Sequence, residues 1–362
     1  MTRTACCAGI AATLMLAAQG AGAGGRLPCG SAQVFSDAAV NVLVLPYRYE
    51  APREFDAHSA SSRLAALIQQ ESLFAMLKYG SIGATELVEE KGGFCDVRHA
   101  LSLVAAGSGN GKLLPGHGLA VIWGRIYEDK SEVYIQSYIR FLRRDVREAF
   151  DVELAREGGP ALRLVAPLPA QAVALAPRRF TQNDLKAIEK AVATILVLRS
   201  EPRDSAPGRP MYDSPIEPLA YSVEAAQGDW MRVRSSFDPS KLGWVRARTD
   251  EEGWALRRFL PELGYLDGVV GYLRLRTSGR AGPVADPKRA YGWVRRAFEG
   301  YEKAVGKDAA PEAAGLARAM AGLLLWTQPV LAGDQGRVEA AKLFREALEF
   351  IQIGRASCRE RV

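Results

Sequence analysis

The run Val40-Asn41-Val42-Leu43-Val44-Leu45, closed by Pro46, constrains this chain more than any other feature. A strand that is apolar at successive positions has no face to offer to water, so it belongs in a sheet covered on both sides. Cover is available nearby. From Ser59 to Lys78, the residues Leu64, Leu67, Ile68, Phe74 and Leu77 recur at helical spacing, which predicts an amphipathic helix against that sheet. Ile82 to Val88 reads as a second strand and Asp96 to Ala106 as a short helix. Leu119 to Tyr127 and Glu132 to Leu142 flank Glu128-Asp129-Lys130-Ser131, with Val133, Ile135, Ile139 and Phe141 on one face, the pattern of a long β-hairpin. Thr181 is placed to cap a further helix reaching Leu198, with Asp184 in its first turn. Residues 34–199 therefore read as an α/β domain.

Beyond it the texture changes twice. Residues 200–208, within SEPRDSAPGRP, are rich in Pro, Ser, Gly and charge and read as an interdomain linker. Residues 209–250 then carry Tyr212-Asp213-Ser214-Pro215, Leu219 to Val223, Gly228-Asp229-Trp230-Met231-Arg232-Val233 and Gly243-Trp244-Val245. This succession resembles the bacterial SH3-like domain, which implies a small β-barrel. After Trp254 the chain becomes helical. Gly271 and its following leucines are echoed by Gly322, and Ala290, Val294 and Ala297-Phe298 by Ala340, Phe344 and Ala347-Leu348, offset by about 50 residues. Small residues at these places let one helix approach its neighbour closely. The pattern over 255–352 is similar to tetratricopeptide or Sel1-like repeats, with Gly279 to Pro287 as an insertion. The layout of 34–199 is similar in its order of elements to α/β domains of curli-assembly and lipoprotein-activator proteins. The expected fold class is thus multidomain α+β: an N-terminal α/β domain, an SH3-like β-barrel and a C-terminal α-helical repeat.

Both ends read as foreign to the mature protein. Arg3, the apolar stretch Ala8 to Ala18 and Ala21-Gly22-Ala23 have the form of a secretory signal over 1–23, too short to span a bilayer. Residues 353–362, IGRASCRERV, resemble a translated sequencing adapter, so the native sequence is expected to depart near Gln352. Removing Arg3 takes one positive charge from the net +6. Removing Arg355, Arg359 and Arg361 with Glu360 takes two more and leaves +3, which weakens a compositional case for nucleic acid. Of five cysteines, Cys29 and Cys95 remain, and in an oxidising compartment they are expected to form a disulfide.

Few residues suggest chemistry. Cys95 and His99 share a helical face, but the disulfide would remove Cys95 and no further ligand has the usual spacing. The stretch Ala106 to Leu113 (AGSGNGKL) departs from a phosphate-binding loop at both of those positions and reads as a turn. His117 also reads as a turn residue. No catalytic, cofactor or metal residue is assigned. Trp230 and Trp244 read first as barrel core, and otherwise as lining, with Tyr212 or Tyr221, a groove that stacks on a peptide or sugar. The resemblances imply a non-enzymatic periplasmic or secreted recognition or scaffold protein that binds peptidoglycan or a partner protein, without nucleic acid, cofactor or stable membrane insertion. The rival expectation is a cell-wall hydrolase targeted by the barrel.

Overall fold

The computed structural model describes residues 26–28, 35, 38–50, 64–65, 68–69, 77–88, 97–98, 113–129, 132–143, 149–156, 159–167, 173–179, 181, 183–184, 197–210, 221–227, 230–235, 238, 240–246, 261–277, 284, 286–306 and 310–359. These residues build a mixed α+β architecture. Residues 1–23, for which a secretory signal is expected, and Cys29, Cys95 and Tyr212 lie outside them.

Strands β1 (Arg26–Pro28), β2 (Val40–Glu50), β3 (Ile82–Val88), β4 (Gly118–Asp129) and β5 (Glu132–Arg143) form one sheet in the order β1-β3-β2-β4-β5. The first four are parallel and β5 runs antiparallel to β4. A separate hairpin follows, β6 (Ala149–Arg156) with β7 (Gly159–Pro167). Then β8 (Val173–Ala174) and β9 (Arg178–Arg179) both pair with β5.

The Val40 run is covered on both sides, as its composition requires. Val40, Val42 and Val44 pack in one layer with Leu64 and Ile68, while Leu43 and Leu45 pack in the other with Phe35, Leu87 and Leu113. The strand does not stop at Pro46 but continues to Glu50. A register shift between Val44 and Tyr47 makes this possible, because a bulge tolerates the missing N–H of proline. The hairpin β4–β5 buries Ile135, Ile139 and Phe141 on the side expected for them. Thr181 and Asp184 cap one another: the Asp184 carboxylate accepts from the Thr181 N–H at 2.7 Å, and the Thr181 hydroxyl accepts from the Asp184 N–H at 3.1 Å.

Residues 200–208 differ from expectation. Strand β10 (Val197–Arg199) pairs antiparallel with β11 (Gly208–Pro210), so the stretch between them is the loop of a hairpin. Ser200 N–H donates to the Pro207 carbonyl at 3.0 Å and Ala206 is buried. Val197 and Leu198, expected at the end of the helix begun at Thr181, are strand residues. With β12 (Tyr221–Gln227), β13 (Trp230–Ser235) and β14 (Leu242–Arg246), this hairpin makes a five-stranded antiparallel sheet in the order β11-β10-β14-β13-β12. The sheet thus draws a strand from each side of the expected boundary.

Five helices complete the described chain: α1 (Glu262–Arg276), α2 (Pro287–Val305), α3 (Pro311–Thr327), the short α4 (Pro329–Ala332) and α5 (Gly336–Arg359). The sequence echo has a geometric counterpart. A Cβ on Gly271 in α1 would lie 2.4 Å from Val294 of α2, and one on Gly322 in α3 would lie 2.9 Å from Phe344 of α5. Each glycine therefore marks a close helix crossing at the corresponding place in its pair.

These helices do not stand apart from the first sheet. Helix α1 buries 13 consecutive residues, Glu262 to Arg274, between the sheet and α2. Lys78 Nζ lies 2.9 Å from Asp267 Oδ2 with both side chains buried, and Arg274 Nε donates to the Gly80 carbonyl at 3.1 Å. A single apolar cluster runs from Val40 through α1, α2, α3 and α5, and includes Leu198, Met231, Val233 and Val245 of the second sheet. The three expected modules thus share a core. An all-round buried helix has no polar stripe to expose, and α1 answers that condition by packing on both sides.

Candidate functional site

Strand β4 is buried without a break from Gly118 to Ile122, and from Trp123 onward only alternate residues are buried. Cover on one face of the sheet ends there, and a crevice of about 460 Å³ opens beside it. Its walls come from Leu45, Pro46, Arg48 and Glu50 of β2, Trp123 and Arg125 of β4, Tyr138 of β5, and the helical turn Val97–Arg98. The position follows from topology. The chain passes from β2 to β3 on one side and from β3 to β4 on the other, so β2 and β4 flank the point where the winding reverses. Open α/β sheets leave a crevice for ligands at the carboxyl ends of strands at such a point.

The residues facing the crevice are aromatic and cationic. Trp123 pairs across the strands with Tyr138, ring centroids 5.7 Å apart and planes 18° from parallel. Tyr127 and Tyr134 repeat the arrangement further along at 5.8 Å. Between the two pairs lies Arg125, its guanidinium 4.6 Å from the Tyr127 ring centroid and donating to Gln136 Oε1 at 3.1 Å. Tyr138 donates to the same oxygen at 3.2 Å, which fixes the Trp123 platform against the Arg125 fork. Glu50 Oε2 is 3.9 Å from Arg125, a half-exposed pair of modest strength. Beneath this face, Tyr47 passes under Gly124 so closely that a Cβ there would lie 2.1 Å from its ring, and its hydroxyl meets Ser137 Oγ at 3.0 Å. Burial pushes the Tyr47 phenol up, so it stays neutral and structural.

A second aromatic and cationic face lies on the five-stranded sheet. Met231, Val233 and Val245 point into the core, while Trp230 and Trp244 alternate with them and are half-buried on the opposite face. The expectation that both indoles fill the core is corrected by this alternation, since neighbours along a strand face opposite sides. Cross-strand register pairs Trp230 with Arg246 and Arg232 with Trp244, and Arg199 flanks Trp244 on β10. Arg234 continues the row on β13, and Arg246 Nη1 reaches Asp204 of the 200–207 loop at 3.3 Å. Tyr221 opens β12 at the sheet edge.

The remaining singled-out residues divide simply. His117 is buried with Nδ1 2.7 Å from the Ala38 carbonyl, a structural contact at the entry to β4. His58, His99 and the loop before Leu113 lie outside the described residues, and Glu128 and Asp129 are exposed at the hairpin tip. Among the described residues no three His, Cys, Asp or Glu side chains are grouped to hold a metal ion, and no described helix is long and apolar enough to cross a membrane. Sequence reasoning missed the crevice. Its signal was the other half of the hairpin alternation, Trp123-x-Arg125-x-Tyr127 opposite Tyr134-x-Gln136-x-Tyr138. No protein-family model, curated protein or solved structure matches the chain.

Proposed function

We propose that this protein is a non-catalytic recognition protein of the bacterial cell envelope, exported to the periplasm or beyond, whose ligand is peptidoglycan. The observation that carries the reading is the face on which Trp230 and Trp244 alternate with Arg199, Arg232, Arg234 and Arg246. Indole faces take up apolar ring surfaces, and guanidinium forks take up carboxylates in two parallel hydrogen bonds. Peptidoglycan offers both, as sugar rings and as the carboxylates of its stem peptides. The resemblance of 209–250 to the bacterial SH3-like domain supports the same reading.

Co-sedimentation of the full chain with purified peptidoglycan tests it. Retention is expected for the parent and is expected to fall at least about fivefold for Trp244→Ala and for Arg232→Gln, about 1 kcal/mol of binding each. Arg232 is exposed, so its variant should melt as the parent does. Retention unchanged in both variants would remove this face from the reading. Release of soluble muropeptides during the incubation would favour the rival, a cell-wall hydrolase.

A further inference from the structure

We infer that residues 173–179 form a proton-operated strap, closed along the edge of β5 while the buried carboxyl of Glu262 is protonated and released from that edge when the carboxyl ionises.

Two short ladders hold the strap. Val173 and Ala174 of β8 pair with Ile139 and Tyr138, and Arg178 and Arg179 of β9 pair with Ile135 and Tyr134. Between them the Leu175 N–H donates to the Ser137 carbonyl at 2.9 Å, and the Leu175 side chain is buried. Ladders of two residues give way more readily than the twelve-residue ladder between β4 and β5. The remaining anchor is Arg178. Its Nη2 donates to the Ala304 carbonyl in the last turn of α2 at 3.2 Å, and its Nε lies 3.4 Å from Glu262 Oε1 at the start of α1. The Glu262 side chain is 2% exposed, and neither of its oxygens has a hydrogen-bond partner among the described residues. The other titratable groups facing it there are phenols, Tyr47 of β2 and Tyr301 of α2, with Tyr265 of α1 edge-on against Tyr301. Burial pushes all three phenols up, so they stay neutral and Arg178 is the cation that answers Glu262.

A buried carboxyl without hydrogen bonds costs less neutral than charged. Burial pushes Glu262 up to about 7, against the pull of Arg178. Release of the strap lifts Arg178 away and admits water, which returns the carboxyl toward its ordinary 4.5. The closed strap therefore binds the proton more tightly than the open one. Closure is strongest below about pH 4.5, weakens as pH rises to about 7 and is constant above that. The strap also reaches the crevice face. Gln136 Nε2 donates to the Leu175 carbonyl at 3.3 Å while Gln136 Oε1 accepts from Arg125 and Tyr138, so release frees one end of the amide that orients those two side chains.

Hydrogen exchange of the full chain, read by mass spectrometry from about pH 5 to about pH 8 and corrected for the intrinsic rate of free amides, tests the strap. Protection of 173–179 is expected to fall about tenfold or more between about pH 5 and about pH 7.5. At every pH it should lie about tenfold or more below the protection of β4, whose amides exchange only when the sheet itself unfolds. Glu262→Gln should hold the low-pH protection of the strap throughout. Arg178→Gln removes the cation facing Glu262 and should move the fall to higher pH. Strap protection that is flat with pH in the parent, or equal to that of β4, would overturn the assignment. So would a fall that persists in Glu262→Gln or stays at the same pH in Arg178→Gln.

Discussion

Glu262 opens α1 with its carboxylate buried and Oε1 3.4 Å from Arg178 Nε, yet neither carboxylate oxygen has a hydrogen-bond partner among the described residues. Burial pushes its carboxyl up from 4.5 to about 7, with the Arg178 cation working in the other direction. The folded state therefore holds this proton more tightly than the unfolded chain does. Its contribution to stability is complete below about pH 4.5 and is lost as pH rises through about 7. Glu262→Gln keeps the shape and removes the titration. The difference in unfolding free energy between variant and parent should move in the variant's favour between pH 5 and pH 8, with a slope approaching roughly 1 kcal/mol per pH unit. Denaturant titrations at those two pH values measure it, and parallel pH profiles would refute the assignment. Nothing in the sequence announces this residue. A glutamate directly after Pro261 reads as an ordinary solvated first-turn acid, and only the docking of α1 on Arg178 and α2 buries it.

At the scale of elements, glycines in the helices separate packing from propensity. Replacing a helical glycine by alanine ordinarily stabilises by about 1 kcal/mol, because the backbone loses less freedom on folding. Gly292 in α2 has only the far end of the Arg296 side chain within reach of a Cβ, at 3.6 Å, so Gly292→Ala should raise stability by about that amount. In Gly271 the same methyl would meet Val294 at 2.4 Å and Tyr79 at 2.6 Å, neither of which can retreat within a packed core. Gly271→Ala should therefore destabilise by about 1–3 kcal/mol. Thermal melts of the two variants should shift in opposite directions, and a shared direction would show that the crossing is not tight. The echo of Gly271 and Gly322 made this crossing legible in sequence, as alternation did for β4–β5. The hairpin β10–β11 was not legible. Its loop has the Pro, Ser and Gly content that linkers and tight turns share, and Ile195-Leu196-Val197-Leu198 fits helix and strand periodicity alike.

Across the whole molecule, composition divides the chain into segments while burial joins them. The divisions at 199 and 255 follow from punctuation and periodicity, which report on local structure and carry no information about which surfaces dock. The docking depends on contacts far apart in sequence, such as Lys78 with Asp267 and Gly118 with Leu273. Those contacts predict that 34–199 is not an independent folding unit. Without α1, the sheet face that receives it is exposed and Lys78 loses its buried partner. Breaking a buried ion pair on one side alone costs about 3–5 kcal/mol, against a total stability of about 5–15 kcal/mol for a typical domain. Fragment 255–352 faces the converse loss, since α1 would present to water the side it turns toward β2 and β4. The full chain should melt in one cooperative transition that includes sheet and helices, read by near-ultraviolet and far-ultraviolet circular dichroism together. Each fragment alone should lack cooperative melting, and Asp267→Ala in the full chain should lower the single transition rather than split it. A fragment 34–199 that melts cooperatively within a few degrees of the full chain would show that the seam through α1 is an interface between domains and not part of one core.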